Sequence, residues 1–375
     1  MILTRNYAVS FFFFIKRMSD HILKFTEKLI TFHSFRENEK ELNAILSFAL
    51  SHLKNFSIKH FERNGIKSAL VYNTKKIPER FRLLLNVHLD VIPAKEYQFT
   101  PVRKGNRLYG AGSMDMKAGV ACALTAFGAM ANNISYPLGL QLVTDEEVGG
   151  FHGTKYQVEE GIRSDFVLAC EPTNFDIVHK AKGILMIRVH ARGKTAHGAY
   201  PWRGTNALWM MHAFLKELEK HFPIPKKEVW ATTCNVSFME TSNRAFNKIP
   251  DDCSVSLDIR YIPDEKESTI RKIRSLLGEN MSLEILEDEP ALYTDPKNTS
   301  LLKLKTITEQ LLGKKGVLRG AHGSSDARHF ARSGCPGIEF GPIGGGIGSD
   351  KEWVDIGSLE IYTSILKEFM RSLEM

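Results

Sequence analysis

Three short apolar runs constrain the fold more than anything else in the chain: RLLLNV at 82–87, LGLQLV at 138–143 and FVLAC at 166–170. Each is continuous rather than alternating, as strands covered on both faces are, and each gives way at once to polar residues. VACALTAFGAMA, between the first two, reads as a buried helix. Short buried strands alternating with helices from about 20 to 175 predict a βαβ-type α/β domain with a largely parallel sheet.

From about 184 to 290 the texture changes. ILMIRVHARG and CSVSLDIRYI alternate apolar and polar with period two, the pattern of half-solvated antiparallel strands. Two amphipathic helices, TNALWMMHAFLKELEKHF and EKESTIRKIRSLLGEN, accompany them. The α/β texture then resumes with LLKLKTITEQLL, PGIEFG and SLEIYTSILKEFMRSL. The chain is therefore expected to divide into an α/β domain over 18–183 and 290–375 and an inserted α+β domain over 184–289. Clefts between domains favour ligand sites. Ser19 and Asp20 are good cap residues for the helix DHILKFTEKLITF, and residues 1–17 read as a poorly ordered extension.

Composition removes several alternatives. With 375 residues, 43% of them hydrophobic, the chain has material for two cores. Its net charge of +7 is scattered, with only KKIPERFR and KKGVLRG clustered, which argues against a nucleic-acid surface. The apolar run AVSFFFFI near the N-terminus is too short to span a bilayer, so no membrane partner is expected. Five widely spaced cysteines without a CxxC pair read as free thiols in a reducing cytoplasm.

The polar residues at the strand ends are the candidate site. RLLLNV runs into His88 and Asp90, LGLQLV into Glu146 and Glu147, and FVLAC into Glu171; Asp115 precedes a helix expected to start near Met116. In open α/β sheets the carboxyl ends of strands line the ligand crevice. Imidazole with carboxylates suits Zn²⁺ or Co²⁺ and tolerates Mn²⁺. In an extended chain His88 and Asp90 share a side, so the Asp90 carboxylate is expected to accept the second imidazole N–H. Asp115 is a candidate bridge between two ions, and of the adjacent glutamates one can bind metal while the other takes a proton from water. Each residue alone is compatible with a simpler role, Asp115 as a helix cap or the Glu146–Glu147 pair as a solvated turn. Their shared placement carries the reading. Ser324, Ser325 and Asp326 read as an N-cap for the helix after them.

VHLDVIP, LYGAGSMDMKAGVA, TDEEVGG, ACEPT, GKTAHGAYP and NKIPDDCSVSLDIR occur in the order found in the M20 metallopeptidase/deacylase family. The chain resembles that family, which includes succinyl-diaminopimelate desuccinylase, acetylornithine deacetylase, aminoacylase and the glutamate carboxypeptidases, over most of its length. The resemblance implies a zinc-peptidase-like catalytic domain with a mixed sheet, and an inserted lid that often dimerises. The reaction implied is hydrolysis of an amide beside a carboxylate-bearing amino acid, in an N-acyl amino acid or a small peptide. His88 and Glu171 would hold one Zn²⁺, Glu147 a second, and Asp115 would bridge them. Glu146 would be the general base, Asp90 would support His88, and His197 would stabilise the oxyanion. Asn247, Arg260 and Arg328 would contact substrate.

One position departs from the family pattern. Glu352 sets the register of the last ligand loop, and four residues earlier, where the family has histidine, stands Gly348. The resemblance with this gap implies either an enzyme with one or two ions, the second weakly held, or an impaired relative that binds acyl-amino acids or peptides. Asp350 is the nearest alternative ligand. The stretch VHKAKGIL, with Lys180 and Lys182, leaves acetylornithine-like and peptide substrates open beside succinyl-diaminopimelate. YGAGSMD lacks GxGxxG spacing, and no P-loop is present, so a nucleotide site is not expected.

Overall fold

A computed structural model of the chain describes residues 20–374; the expectation for 1–17 lies outside them. The apolar runs become strands Leu83–His88, Leu138–Val143 and Val167–Ala169, and every residue of the first two is buried. Seven strands of the main sheet run in the spatial order Ser57–Arg63, Ile66–Tyr72, Leu138–Val143, Leu83–His88, Val167–Ala169, Gly337–Glu339 and Ile177–Ala181. The central neighbours are parallel: Leu83–His88 pairs in that sense with Leu138–Val143 on one side and Val167–Ala169 on the other. Antiparallel strands flank them, Ile66–Tyr72 on Leu138–Val143 and Ile177–Ala181 on Gly337–Glu339, so the sheet is mixed.

The helix Ala118–Met130 is apolar nearly all round, and its Val120, Ala121, Cys122, Leu124 and Phe127 are buried. It packs with the C-terminal helix Ile356–Ser372, whose Asp355 caps it by accepting from the Ser358 N–H. The helix begins at Ala118 rather than near Met116 because Asp115 and Met116 have non-helical backbone angles within the turn Ser113–Lys117. The Asp115–Met116 peptide is cis.

The chain forms two compact units. The second comprises Lys180–Leu292 and Gly320–Ser324. Its four-stranded sheet has the order Thr233–Glu240, Asp252–Tyr261, Gly183–Arg192, Met281–Glu289, all antiparallel. Burial along Gly183–Arg192 and Asp252–Tyr261 alternates residue by residue, as the period-two pattern dictates. Leu185, Ile187 and Val189 face a core shared with Met211, Phe214 and Leu218 of the helix Ala207–His221. Gly320–Ser324, assigned from sequence to the other unit, clusters here because Gly320 lies against the Trp230 ring, where a Cβ would meet ring carbons at 2.5–2.8 Å.

Candidate active site

His88 ends its parallel strand; Glu146 and Glu147 follow the neighbouring strand in a single 3-10 turn, Glu146–Val148; Glu171 follows the strand on the other side. Three adjacent carboxyl ends thus converge, and the loop 110–117 brings Asp115 to the same place. His88 Nε2 lies 3.0 Å from Asp115 Oδ1 and 3.8 Å from Glu171 Oε2. One ligand atom from each of His88, Asp115 and Glu171 falls within 4.8 Å of the others, the one group of this kind among the described residues. Glu171 Oε1 is buried with no hydrogen-bond partner. A buried imidazole, two carboxylates and an unpaired buried oxygen fit a divalent cation in their midst.

The electrostatics are those of a site short of positive charge. Burial alone pushes the His88 imidazole down, but the bond to Asp115 and the nearby carboxylates of Asp90 and Glu171 outweigh it and hold the group well above its usual value. Burial raises the Glu171 carboxyl to about 7 and that of Glu147 to about 8, with neighbouring carboxylates adding to the shift and His88 opposing it. Glu146 is raised well above the carboxylate range by burial, aided by the charges of Glu171, Asp326 and Asp115 and opposed by His88.

Asp90 supports the site differently from the expectation. Its main-chain oxygen takes His88 Nδ1 at 3.1 Å, while its carboxylate Oδ1 is 3.6 Å away. The carboxylate instead accepts from the backbone N–H groups of Glu146 (3.2 Å) and Glu147 (2.9 Å). Asp90 therefore fixes the imidazole through its carbonyl and the glutamate turn through its side chain, because that turn exposes two donors beside it.

Arg328 is buried, and its guanidinium donates to the carbonyls of Gly149 (2.6 Å) and Ser325 (2.8 Å). It braces the turn that follows Glu147. Asp326 does not cap the helix Arg328–Ala331 through its side chain. Its carboxylate accepts from the Thr154 hydroxyl at 2.5 Å, and Asp145 accepts from the His152 and Gly153 N–H groups in the same layer. In the second unit, Arg260 makes a two-pronged pair with Asp258 at 2.8 and 3.2 Å. His197 and Asn247 are exposed neighbours there: the Gly198 N–H donates to the Asn247 carbonyl, and His197 Nδ1 accepts from the Ala199 N–H.

A cavity of about 460 Å³ is lined by Asp115, Glu147, Gly348, Glu352, Lys95 and Asp350 among others. Gly348 sits at φ +66° with only Ile92 Cδ1, at 3.4 Å, near the position a Cβ would take. Asp350 is exposed and paired with the Lys95 ammonium. Glu352, which the sequence offered only as a register mark, is buried and accepts from the backbone N–H groups of Gly112, Met114 and Asp115. No local pattern signals such a role, since its donors lie some 240 residues away.

The fold and this cluster define an α/β chain with a candidate metal site at its strand ends and an added α+β unit. A profile of peptidase family M20/M25/M40 matches residues 84–372, and the chain belongs to that family, which makes it a metallo-amidohydrolase acting on acyl amino acids or peptides. Succinyl-diaminopimelate desuccinylase of Erythrobacter litoralis is 30% identical over 272 residues, 68% of this chain and 71% of that protein. Aminopeptidase PepT from Bacillus cereus superposes with a TM-score of 0.78 at 18% identity, covering 95% of this chain and 99% of the other. A dinuclear metal-binding M20 peptidase from Bacillus subtilis gives a TM-score of 0.71 at 12% identity, over 95% and 98% of the two chains.

Proposed function

We propose that the chain is a zinc-dependent deacylase or exopeptidase that hydrolyses N-acyl amino acids or small peptides. The gathering of His88, Asp115 and Glu171 within 4.8 Å, with a buried unpaired oxygen on Glu171, supports this most strongly. These three residues hold the first ion, and Asp115 with Glu147 offers oxygens to a second. A bound divalent ion supplies Lewis acidity, polarising the amide carbonyl and acidifying the attacking water. Glu146, its carboxyl raised by burial, takes the proton from that water and returns it to the leaving amine. Asp90 keeps His88 and the glutamate turn in register. His197 is assigned the oxyanion contact, and Asn247, Arg260 and Arg328 the substrate contacts, on family resemblance.

N-succinyl amino acids lead the substrate list because desuccinylases stand among the relatives, with N-acetyl amino acids and dipeptides next. Gly348 favours a second reading, an impaired relative that binds such molecules without turning them over. A hydrolysis screen over N-succinyl, N-acetyl and dipeptide substrates with added Zn²⁺ or Co²⁺ separates the two. Turnover of any class supports the enzyme, and binding of these compounds without turnover supports the alternative. Pairing of two copies through the inserted unit is part of this reading, and the edge position of Thr233–Glu240 with Val236, Phe238 and Met239 exposed supports it. Five free cysteines suit a cytoplasmic setting, and among the described residues no helix is long and apolar enough to cross a membrane.

A further inference from the structure

Asp115 sits in the turn Ser113–Lys117, on a segment whose backbone is held from two directions. Within it, the Ser113 N–H donates to the Gly110 carbonyl and the Lys117 N–H to the Gly112 carbonyl. The N–H groups of Gly110, Gly112, Met114 and Asp115 all point instead at one residue far along the chain. Gly110 donates to the Glu352 main-chain oxygen at 3.3 Å. Gly112 donates to Glu352 Oε2 at 3.1 Å, and Met114 and Asp115 donate to Oε1 at 2.7 and 2.9 Å. Bonds from backbone donors to an ionised carboxylate are the strong kind, and an unmet buried N–H is costly.

Glu352 is delivered by the segment after the glycine loop. The strand Trp353–Asp355 pairs with Arg107–Tyr109, Trp353 opposite Tyr109, so the two segments run together up to the point where Glu352 meets the loop. Gly344 allows the approach: a Cβ there would meet the Trp353 carbonyl at 2.6 Å and Met114 Cγ at 2.7 Å. Both carboxylate oxygens of Glu352 accept from backbone donors, so its side chain is turned to the loop that carries Asp115.

We infer that Glu352 is a positioning residue: its carboxylate sets the backbone from which Asp115 reaches the ion, and so tunes the affinity and geometry of that ion's site. This rests on the metal-site reading above. Residues that orient a ligand from behind carry about 10–100-fold in metal affinity. The test takes the full chain stripped by chelator and titrates Co²⁺ against a competing chelator, recording the visible Co²⁺ bands, for wild type, Glu352→Gln and Glu352→Ala. In Glu352→Gln the amide oxygen can still accept from Met114 and Asp115, but its NH₂ faces the Gly112 N–H, so one bond of three is lost. Glu352→Ala is expected to lose about 10–100-fold in affinity with shifted bands, and Glu352→Gln to fall between it and wild type. Wild-type affinity and bands in folded Glu352→Ala, or in Glu352→Gln should the alanine variant not fold, overturn the inference and leave the metal site standing. A wild-type chain that binds no Co²⁺ overturns both.

Discussion

Glu146 combines the two properties a general base needs in this setting: burial that raises its carboxyl, and a place on the turn held by Asp90. Replacing it removes the proton carrier without touching His88, Asp115 or Glu171. Glu146→Ala is expected to retain bound metal and lose at least about a hundredfold in kcat. Metal content measured alongside the rate checks this, and metal loss with an undiminished rate would refute the assignment. Gly348 is the other decisive residue. It contributes no ligand, and Asp350 is paired with Lys95, so in the proposed reading a second ion rests on Asp115 and Glu147 and is weakly held. Metal analysis after exhaustive dialysis is expected to find one ion per chain, and Gly348→His to find two. The cavity has room for the imidazole, and histidine is among the side chains that tolerate the left-handed backbone at φ +66°. Two tightly held ions in the unaltered chain would sink the idea.

Among the elements, the strand ends place the ligands and a layer of buried polar side chains holds the turns between them. Thr154 is the hinge of that layer: it accepts from Asn86 Nδ2 at 3.1 Å and donates to Asp326. Thr154→Val keeps the shape and takes one bond from each partner in a buried setting; Asn86 retains its bond to Gln141. It is expected to cost about 1–3 kcal/mol of stability, read as a lower urea midpoint at unchanged slope. The strands themselves were legible, because a continuous apolar run and a period-two run each admit one kind of burial. This layer was not. Arg328 suits a carboxylate by its chemistry, and nothing local marked the two carbonyls that its guanidinium also meets.

For the whole molecule, the excess of buried carboxyls makes stability depend on pH. Glu147 and Glu339 titrate at about 8, and Glu171, Glu352 and Asp145 at about 7, all raised by burial. The unfolded chain releases those protons near 4.5 for the glutamates, so between about pH 4.5 and 7 the folded state holds more protons and stability falls as pH rises. His88, raised in the fold, acts in the same direction above 6.5, where its gain is lost progressively. Lys117, lowered to about 7 by burial, opposes the trend only above that pH. Metal-free protein is therefore expected to melt at lower temperature at about pH 7 than at about pH 5.5, and Zn²⁺ to shrink the difference. Melting curves with and without chelator check this. Light scattering tests the proposed pairing of copies: a dimer is expected, and Phe238→Glu on the exposed edge strand is expected to give monomer.

The order of buried strands, the change of texture at the inserted unit, the emergence of His88, Glu146, Glu147 and Glu171 after strands, and Asp115 ahead of a helix follow from local pattern, since burial writes its period into the chain. The sequence also showed that position 348 carries no side chain. What holds each ligand was decided by tertiary structure alone: Asp90 grips the glutamate turn, Arg328 the turn after it, and Glu352 the loop of Asp115. In each case the partners are backbone amides or carbonyls. Every residue type carries those groups, so no local spelling marks them, and only the fold brings the side chain and its backbone partners together.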